Sequence, residues 1–305
     1  MTRPTISAYL NGTATALCAE HASPVFAAQL PEGASAYDGA VQIEVGARFV
    51  VQRGVAIVPV RGLLTANMFA YERYMGWTTY HGLAETMALL AANDQVTAIV
   101  LEGDSPGGTV VGIEAATDAI AAAARVKPVH ALVNPTAVSA AYWVLSQATD
   151  ITMTPGGQVG SIGIQYQGAA PVQADMHGDQ GYVVRSSNAR AKNPDPSTEA
   201  GAALILSRLD QYEAIFHAAI VAGRGIAADD LTARISATDD PVDGGATFGF
   251  AQAQARGLAD AQATRADFYA DMFDRYAPAT RPAGSRAGAR AFSAMAAAAA
   301  AIAAT

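Results

Sequence analysis

Val96-Thr97-Ala98-Ile99-Val100-Leu101, running into Glu102-Gly103-Asp104-Ser105-Pro106-Gly107-Gly108, is the stretch that decides the fold of this 305-residue chain. A short, nearly continuous apolar run is what a strand buried on both faces requires, and the Pro/Gly cluster after it predicts a turn from strand to helix. Upstream, Leu83, Met87 and Leu90 follow a helical period from His81 until Asn93-Asp94 ends it. Before that helix, Gly54 to Val60 forms a β-branched run closed by Arg61-Gly62. Downstream, Ile113, Ala116 and Ile120 mark a second helix, and Pro128 introduces the strand Val129 to Val133. Asn134-Pro135 predicts a turn, Ser139 to Ala148 a short apolar helix, and Asp150 to Met153 a further strand. Tyr182-Val183-Val184 is one more strand candidate. A long helix is expected after Ser197-Thr198-Glu199, with Leu206, Leu209, Ile215, Phe216 and Ala219 as its apolar stripe. Repeated alternation of this kind implies right-handed crossovers, a largely parallel sheet and an α/β class.

Around this core, residues 1–50 are rich in small residues without sustained period and read as an irregular or weakly helical arm that carries no chemistry. Residues 51–275 hold the core, and 276–305 change character: Arg281 to Arg290 is basic, and Ala294 to Ala304 is alanine apart from Met295 and Ile302. Alanine favours helix but buries little surface, so this end is expected to be a marginal helical tail, linker or docking segment, not an anchor. The net charge of −8 argues against a grip on nucleic acid, which needs clustered cations. With one cysteine, Cys18, no intramolecular disulfide or cysteine metal cage can form. No signal-peptide pattern or membrane-length apolar run is present in the sequence, which predicts a soluble, cytoplasmic protein. No HExxH, Cys/His cluster or calcium loop is found, so neither a metal nor a cofactor is expected.

Serine becomes a nucleophile only when a base removes its proton and fixed N–H groups receive the oxyanion. Ser139, after a strand and a Pro turn and before the small Ala140 and Ala141, is placed for that role, although a lone serine there is most often an N-cap. Ser105-Pro106-Gly107-Gly108 could supply backbone N–H donors, or be a plain turn. Gly160, Ser161 and Gly163 could line the same cleft. The chain has two lysines. Lys127 precedes Pro128 at a helix exit, where the helix C-terminus explains it. Lys192 follows the strand candidate at 182–184, and a lysine desolvated in an apolar cleft can act as a base. His21, His81, His130, His177 and His217 lack a visible partner motif; a Ser/His/Asp triad stays open, since triads recur on unrelated folds.

Asp104-Ser105-Pro106-Gly107-Gly108, Ser139-Ala140-Ala141-Tyr142, Gly160-Ser161-Ile162-Gly163, a lysine some fifty residues beyond the serine, and Gly245 through Asp260 together resemble the signal peptide peptidase A family and its phage branch of capsid-assembly peptidases. The resemblance runs from about Gly54 to Asp260. It implies a Clp protease/crotonase-like fold with repeated β-β-α units, a Ser139/Lys192 dyad, and an oxyanion hole from Gly107, Gly108 and Ala140. It also implies a cleft lined by Ser105, Pro106, Gly160, Ser161 and Gly163, and a homo-oligomeric ring acting on polypeptides such as scaffold or portal proteins. Two departures stand out: Ala140-Ala141 replaces the family's glycine pair, and Arg190 stands where some relatives place the lysine. Lacking an evident signal or anchor and ending in a low-complexity tail, the chain fits the phage role better than signal-peptide or general peptide degradation. A crotonase-like acyl-CoA enzyme would need neither Ser139 nor Lys192; a capsid-assembly subunit with a decayed dyad would assemble without cutting.

Overall fold

A computed structural model describes residues 6–29, 46, 48–168, 185, 186 and 188–277. The first half comprises α1 (Ile6–Leu10), β1 (Ala14–Leu17), α2 (Ser23–Ala27), β2 (Val50–Gln52), β3 (Val55–Leu64), α3 (Phe69–Met75), α4 (Tyr80–Ala92), β4 (Ala98–Thr109) and α5 (Ile113–Ala124). There follow β5 (Val129–Val138), α6 (Ala140–Leu145), β6 (Asp150–Met153), β7 (Gln158–Gly160), β8 (Gln165–Tyr166), α7 (Glu199–Arg224) and α8 (Ala228–Ile235). The described chain closes with β9 (Thr247–Phe248), α9 (Phe250–Ala255), β10 (Ala261–Gln262) and α10 (Arg265–Tyr276). The strand candidate at 182–184 and the tail from 278 lie outside the described residues.

The chain is α/β with a largely parallel sheet. β3 pairs β4, β4 pairs β5, and β5 pairs β6 and β7, all in parallel, and β10 adds to β6 the same way. The long central strands alternate between two buried faces. Ile99, Leu101, Ala131 and Val133 face the helix layer holding Leu83, Met87, Ile113 and Ile120. Val55, Val100 and Leu132 face Phe268, Tyr269 and Met272 of α10. Each such aliphatic side chain, fully removed from water, contributes roughly 1.5–3 kcal/mol.

Several boundaries move against the sequence expectation, for one reason: a strand continues while it has a neighbour to pair. β3 runs through Arg61-Gly62 to Leu64, because Leu63 and Leu64 find Gly107 and Gly108 of β4. Ser105-Pro106-Gly107-Gly108 is accordingly the end of β4, not a strand-to-helix turn. β5 crosses Asn134-Pro135 as it exchanges β6 for β7 as neighbour. In the N-terminal arm, expected to be irregular or weakly helical, Ala14–Leu17 is a strand of the main sheet between the short helices α1 and α2. On α7 the buried positions are Gly201, Ile205, Phe216 and Ile220, while Leu206 and Ile215 of the expected stripe are exposed. The ring of Trp143 stacks on Phe216 at 4.3 Å and fixes which face turns inward.

Two polar clamps hold α10 to the sheet. Glu102, 4% exposed, accepts hydrogen bonds from Arg265 (2.6 and 3.0 Å), the Tyr269 hydroxyl (2.7 Å) and Asn134 (2.9 Å). Burial alone would push its carboxyl up, but the bonds from Arg265, Tyr269 and Asn134, with the Arg265 charge, outweigh it and bring it down to about 2. His130 contributes the second clamp, its Nδ1 lying 2.7 Å from Asp150 and its Nε2 2.9 Å from the Tyr276 hydroxyl.

A carboxyl whose folded pKa lies below its unfolded value stabilises above the unfolded pKa, and that contribution disappears as pH falls through the folded one. Urea unfolding of wild type should therefore lose stability between pH ~4.5 and ~2 through Glu102. Glu102→Gln should cost about 3 kcal/mol at pH 7 and flatten that part of the profile. An unchanged profile in the variant would refute this account of the clamp.

Candidate active site

The site is built where β5 becomes α6 across one residue. Val138 ends the strand, Ala140 begins the helix, and Ser139 between them holds φ 57° and ψ −124°, a conformation costly for any residue with a Cβ. A strand, a strained serine and a helix in immediate succession have the geometry of a nucleophile elbow. The elbow is held from both sides. The Ser139 N–H donates to the Gly160 carbonyl (2.7 Å), and the Trp143 N–H donates to the Ser139 carbonyl (2.9 Å). Ala140 and Ala141 are fully buried, so larger residues would not fit beneath the serine.

Gly107 faces this corner. It sits at φ +104°, and a Cβ built on it would lie 3.0 Å from both Ser139 Cβ and the Ala140 nitrogen, and 2.2 Å from the Ala16 carbonyl oxygen. Only glycine permits that approach. Its conformation is set by Ser105, whose hydroxyl donates to the Gly62 carbonyl (2.6 Å) and accepts from the Gly107 N–H (3.1 Å). Ser105 thus holds the glycine from a buried position. A Cβ on Gly108 would instead meet the Leu64 carbonyl of β3 at 1.8 Å, so this glycine packs against its neighbouring strand. Gly160, at φ +105°, lies under the Ala246 carbonyl, which also accepts from the N–H of Ser161. These two residues support the elbow from below. Gly163 lies near Glu213 of α7 at ordinary contact distance.

Ser139, Ala140, Gly107, Gly160 and Ser161 therefore lie together at this corner. Lys192 does not arrive buried: it is exposed on the 3-10 turn Arg190–Lys192, and among the described residues no hydrogen bond or ion pair of its side chain is present. Lys127 is accounted for, since its ammonium donates to the Leu90 carbonyl (2.9 Å) and to that of Asn93, closing the end of α4. His130 has an Asp partner that the sequence did not reveal. It nonetheless stands nine positions before Ser139, roughly 30 Å away at ~3.3 Å per strand residue. His81 pairs with Glu85 on the exposed side of α4. His217, on α7, is pushed down by burial against a smaller opposing effect of Glu213. His177 lies outside the described residues. The metal-ligating groups that gather within 4.8 Å of one another, among the described residues, are Cys18, Glu20 and His21, near neighbours on one turn, and adjacency in sequence accounts for that cluster.

A family model described as Peptidase family S49 matches residues 121–276, a span that includes Ser139 and Lys192 but begins after Gly107. Capsid assembly protease C of Escherichia phage lambda is 35% identical over 116 residues, 38% of this chain and 26% of that protein. Head-tail preconnector protein GP5 of Enterobacteria phage P21 is 35% identical over 114 residues, 37% of this chain and 23% of that protein. The matches thus span about a quarter of those relatives' length. Among solved structures, a membrane-bound stomatin-specific protease is similar at TM-score 0.36 and 16% identity, covering 73% of this chain and 85% of the other. An enoyl-CoA hydratase/isomerase family protein from Silicibacter pomeroyi is similar at TM-score 0.42 and 14% identity, covering 76% and 84%. At these scores neither structure adds to the fold read from the strand order.

The elbow carries strain, so Ser139→Gly should raise unfolding stability by about 1 kcal/mol as it removes the hydroxyl. Gly107→Ala should lower it by about 2 kcal/mol or more, because the new methyl meets the Ala16 carbonyl at a backbone angle alanine avoids. Denaturant melts of the two variants beside wild type check both signs.

Proposed function

This chain belongs to peptidase family S49, and from that premise we propose that it is a serine endopeptidase with Ser139 as nucleophile and Lys192 as general base. The observation that carries the reading is the strained Ser139 elbow set against Gly107 and the Ala140 nitrogen. Ser139 Oγ attacks the peptide carbonyl, and Lys192 takes its proton. The oxyanion is received by the N–H groups of Ala140 and Gly108, since the Gly107 N–H is held by the Ser105 hydroxyl. Lys192 then returns the proton to the departing amine, and water admitted to the site hydrolyses the acyl-serine ester. The reading requires the exposed Lys192 turn to close over Ser139. A bound polypeptide covering both groups would exclude water from them.

The names of the two phage relatives support a role in capsid assembly; scaffold or portal proteins as polypeptide substrates and a homo-oligomeric ring as the working form are part of the same proposal. Among the described residues no helix is long and apolar enough to cross a membrane, which suits work on a growing capsid. The test is mass spectrometry of an unfolded protein, and of the chain itself, after incubation with wild type, Ser139→Ala, Lys192→Ala and Lys192→Arg. Wild type should cut. All three variants should lose at least 10³-fold in rate, Lys192→Arg included, because a guanidinium stays protonated. Equal cutting by all four would defeat the dyad; no cutting by any, with rings still assembling, would favour a structural subunit.

A further inference from the structure

β4 changes neighbours along its length. Its pairing with β5 ends at Ser105↔Ala137, where β5 departs toward the elbow, and this frees one edge of Gly107–Thr109. β1 fills that edge antiparallel, with Thr15 opposite Thr109, Ala16 opposite Gly108 and Leu17 opposite Gly107. Its other edge pairs with β8, Ala14 opposite Tyr166 and Thr15 opposite Gln165. A segment of the chain's own N-terminal arm is thereby held on both edges, beside the nucleophile. The contacts are nearly all of a kind that any extended chain could make. The Cys18 N–H donates to the Pro106 carbonyl (2.8 Å), and the Gln165 amide donates to the Leu17 carbonyl (2.7 Å).

We propose that the slot between β4 and β8 is the polypeptide-binding site, that it selects an alanine-sized residue just before the bond presented to Ser139, and that residues 14–18 occupy it as a tethered, displaceable substrate strand. The proposal rests on the peptidase reading for its Ser139 chemistry. The placement of the bond comes from the strand's own carbonyls. Leu17's is already held by Gln165 and Cys18's accepts from the His21 N–H (3.2 Å). Ala16's points at Gly107, beside the Ala140 nitrogen and Ser139 Cβ. Ala16 is fully buried in the main core, so its methyl fills the space available and a long side chain would not fit. The arm is tied down by its own cluster, in which Ile6, Leu10, Leu17 and Val25 pack with Leu63 and Trp77. A substrate must therefore compete with an intramolecular strand, which restrains the enzyme until a polypeptide is locally concentrated.

The experiment measures binding of a fluorescent peptide with the sequence of residues 11–20 to the full chain carrying Ser139→Ala, with and without Ala16→Arg. The arginine should expel β1, and the peptide should bind at least tenfold more tightly. Equal affinities, or no binding to either protein, would overturn the proposal. Should Ala16→Arg lose its thermal unfolding transition, hydrogen exchange on Ser139→Ala decides the matter. Saturating peptide should then accelerate exchange of the Leu17 and Cys18 amides at least tenfold, and unchanged exchange would overturn it. If Ala16→Arg strengthens binding while the Ser139-containing chain cuts no polypeptide, the peptidase reading fails and the binding slot stands.

Discussion

One strand, β4, serves more neighbours than its two edges can hold at once, and the site depends on how that conflict is resolved. β3 pairs with one edge from Ala98 to Gly108. The opposite edge belongs to β5 as far as Ser105 and to β1 from Gly107 onward. β5 can leave only by turning within one residue, and that residue is Ser139, in a conformation that costs of order 1–3 kcal/mol. Gly107, at the same level, must be glycine because the departing elbow and the arriving strand meet there. The strained serine, the close-packed glycine and the free strand edge are thus three consequences of one divergence.

The rest of the sheet makes that divergence affordable by being rigid. Glu102 lies three residues before Ser105, and its bonds to Arg265, Tyr269 and Asn134 join β4, β5 and α10 just below the parting point. His130, Asp150 and Tyr276 join β5, β6 and the end of α10 lower down. Ion pairs and buried hydrogen bonds of this kind add little net energy over a well-packed apolar alternative, but their geometry is directional. They hold the register of β4 against β5, and with it the position of Ser139 against Gly107. The tyrosine hydroxyl of α6, Tyr142, adds a further tie by donating to the buried Leu258 carbonyl (2.9 Å).

Much of the architecture was legible because it rests on local pattern. The apolar runs at 96–101, 129–133 and 150–153 became strands, and the spacings of Leu83, Met87 and Leu90 and of Ile113, Ala116 and Ile120 became buried helix faces. Ser139 and Gly107 could be singled out because a small-residue break after a strand is itself a local signal. Local pattern failed where pairing decided. Thr-Ala-Thr-Ala-Leu at residues 13–17 has no feature that marks a strand, and becomes one because two unpaired edges stand ready on either side. Ile215 and Phe216 look alike to a hydrophobic count, and the Trp143 ring chooses between them.

What the sequence by itself determined is the order of the central strands and helices, the α/β class, the identity of the nucleophile candidate and the scarcity of lysine that narrows its base, since each depends on residue type and short-range spacing. What only the tertiary structure decided is which groups meet. It set Gly107 against Ser139 across thirty-two residues of chain, gave Ser105 a buried supporting role, left Lys192 on an exposed turn, and laid the N-terminal arm beside the elbow. Those outcomes follow from backbone hydrogen bonds seeking partners across the sheet, and a backbone edge carries no residue label by which a sequence could announce it.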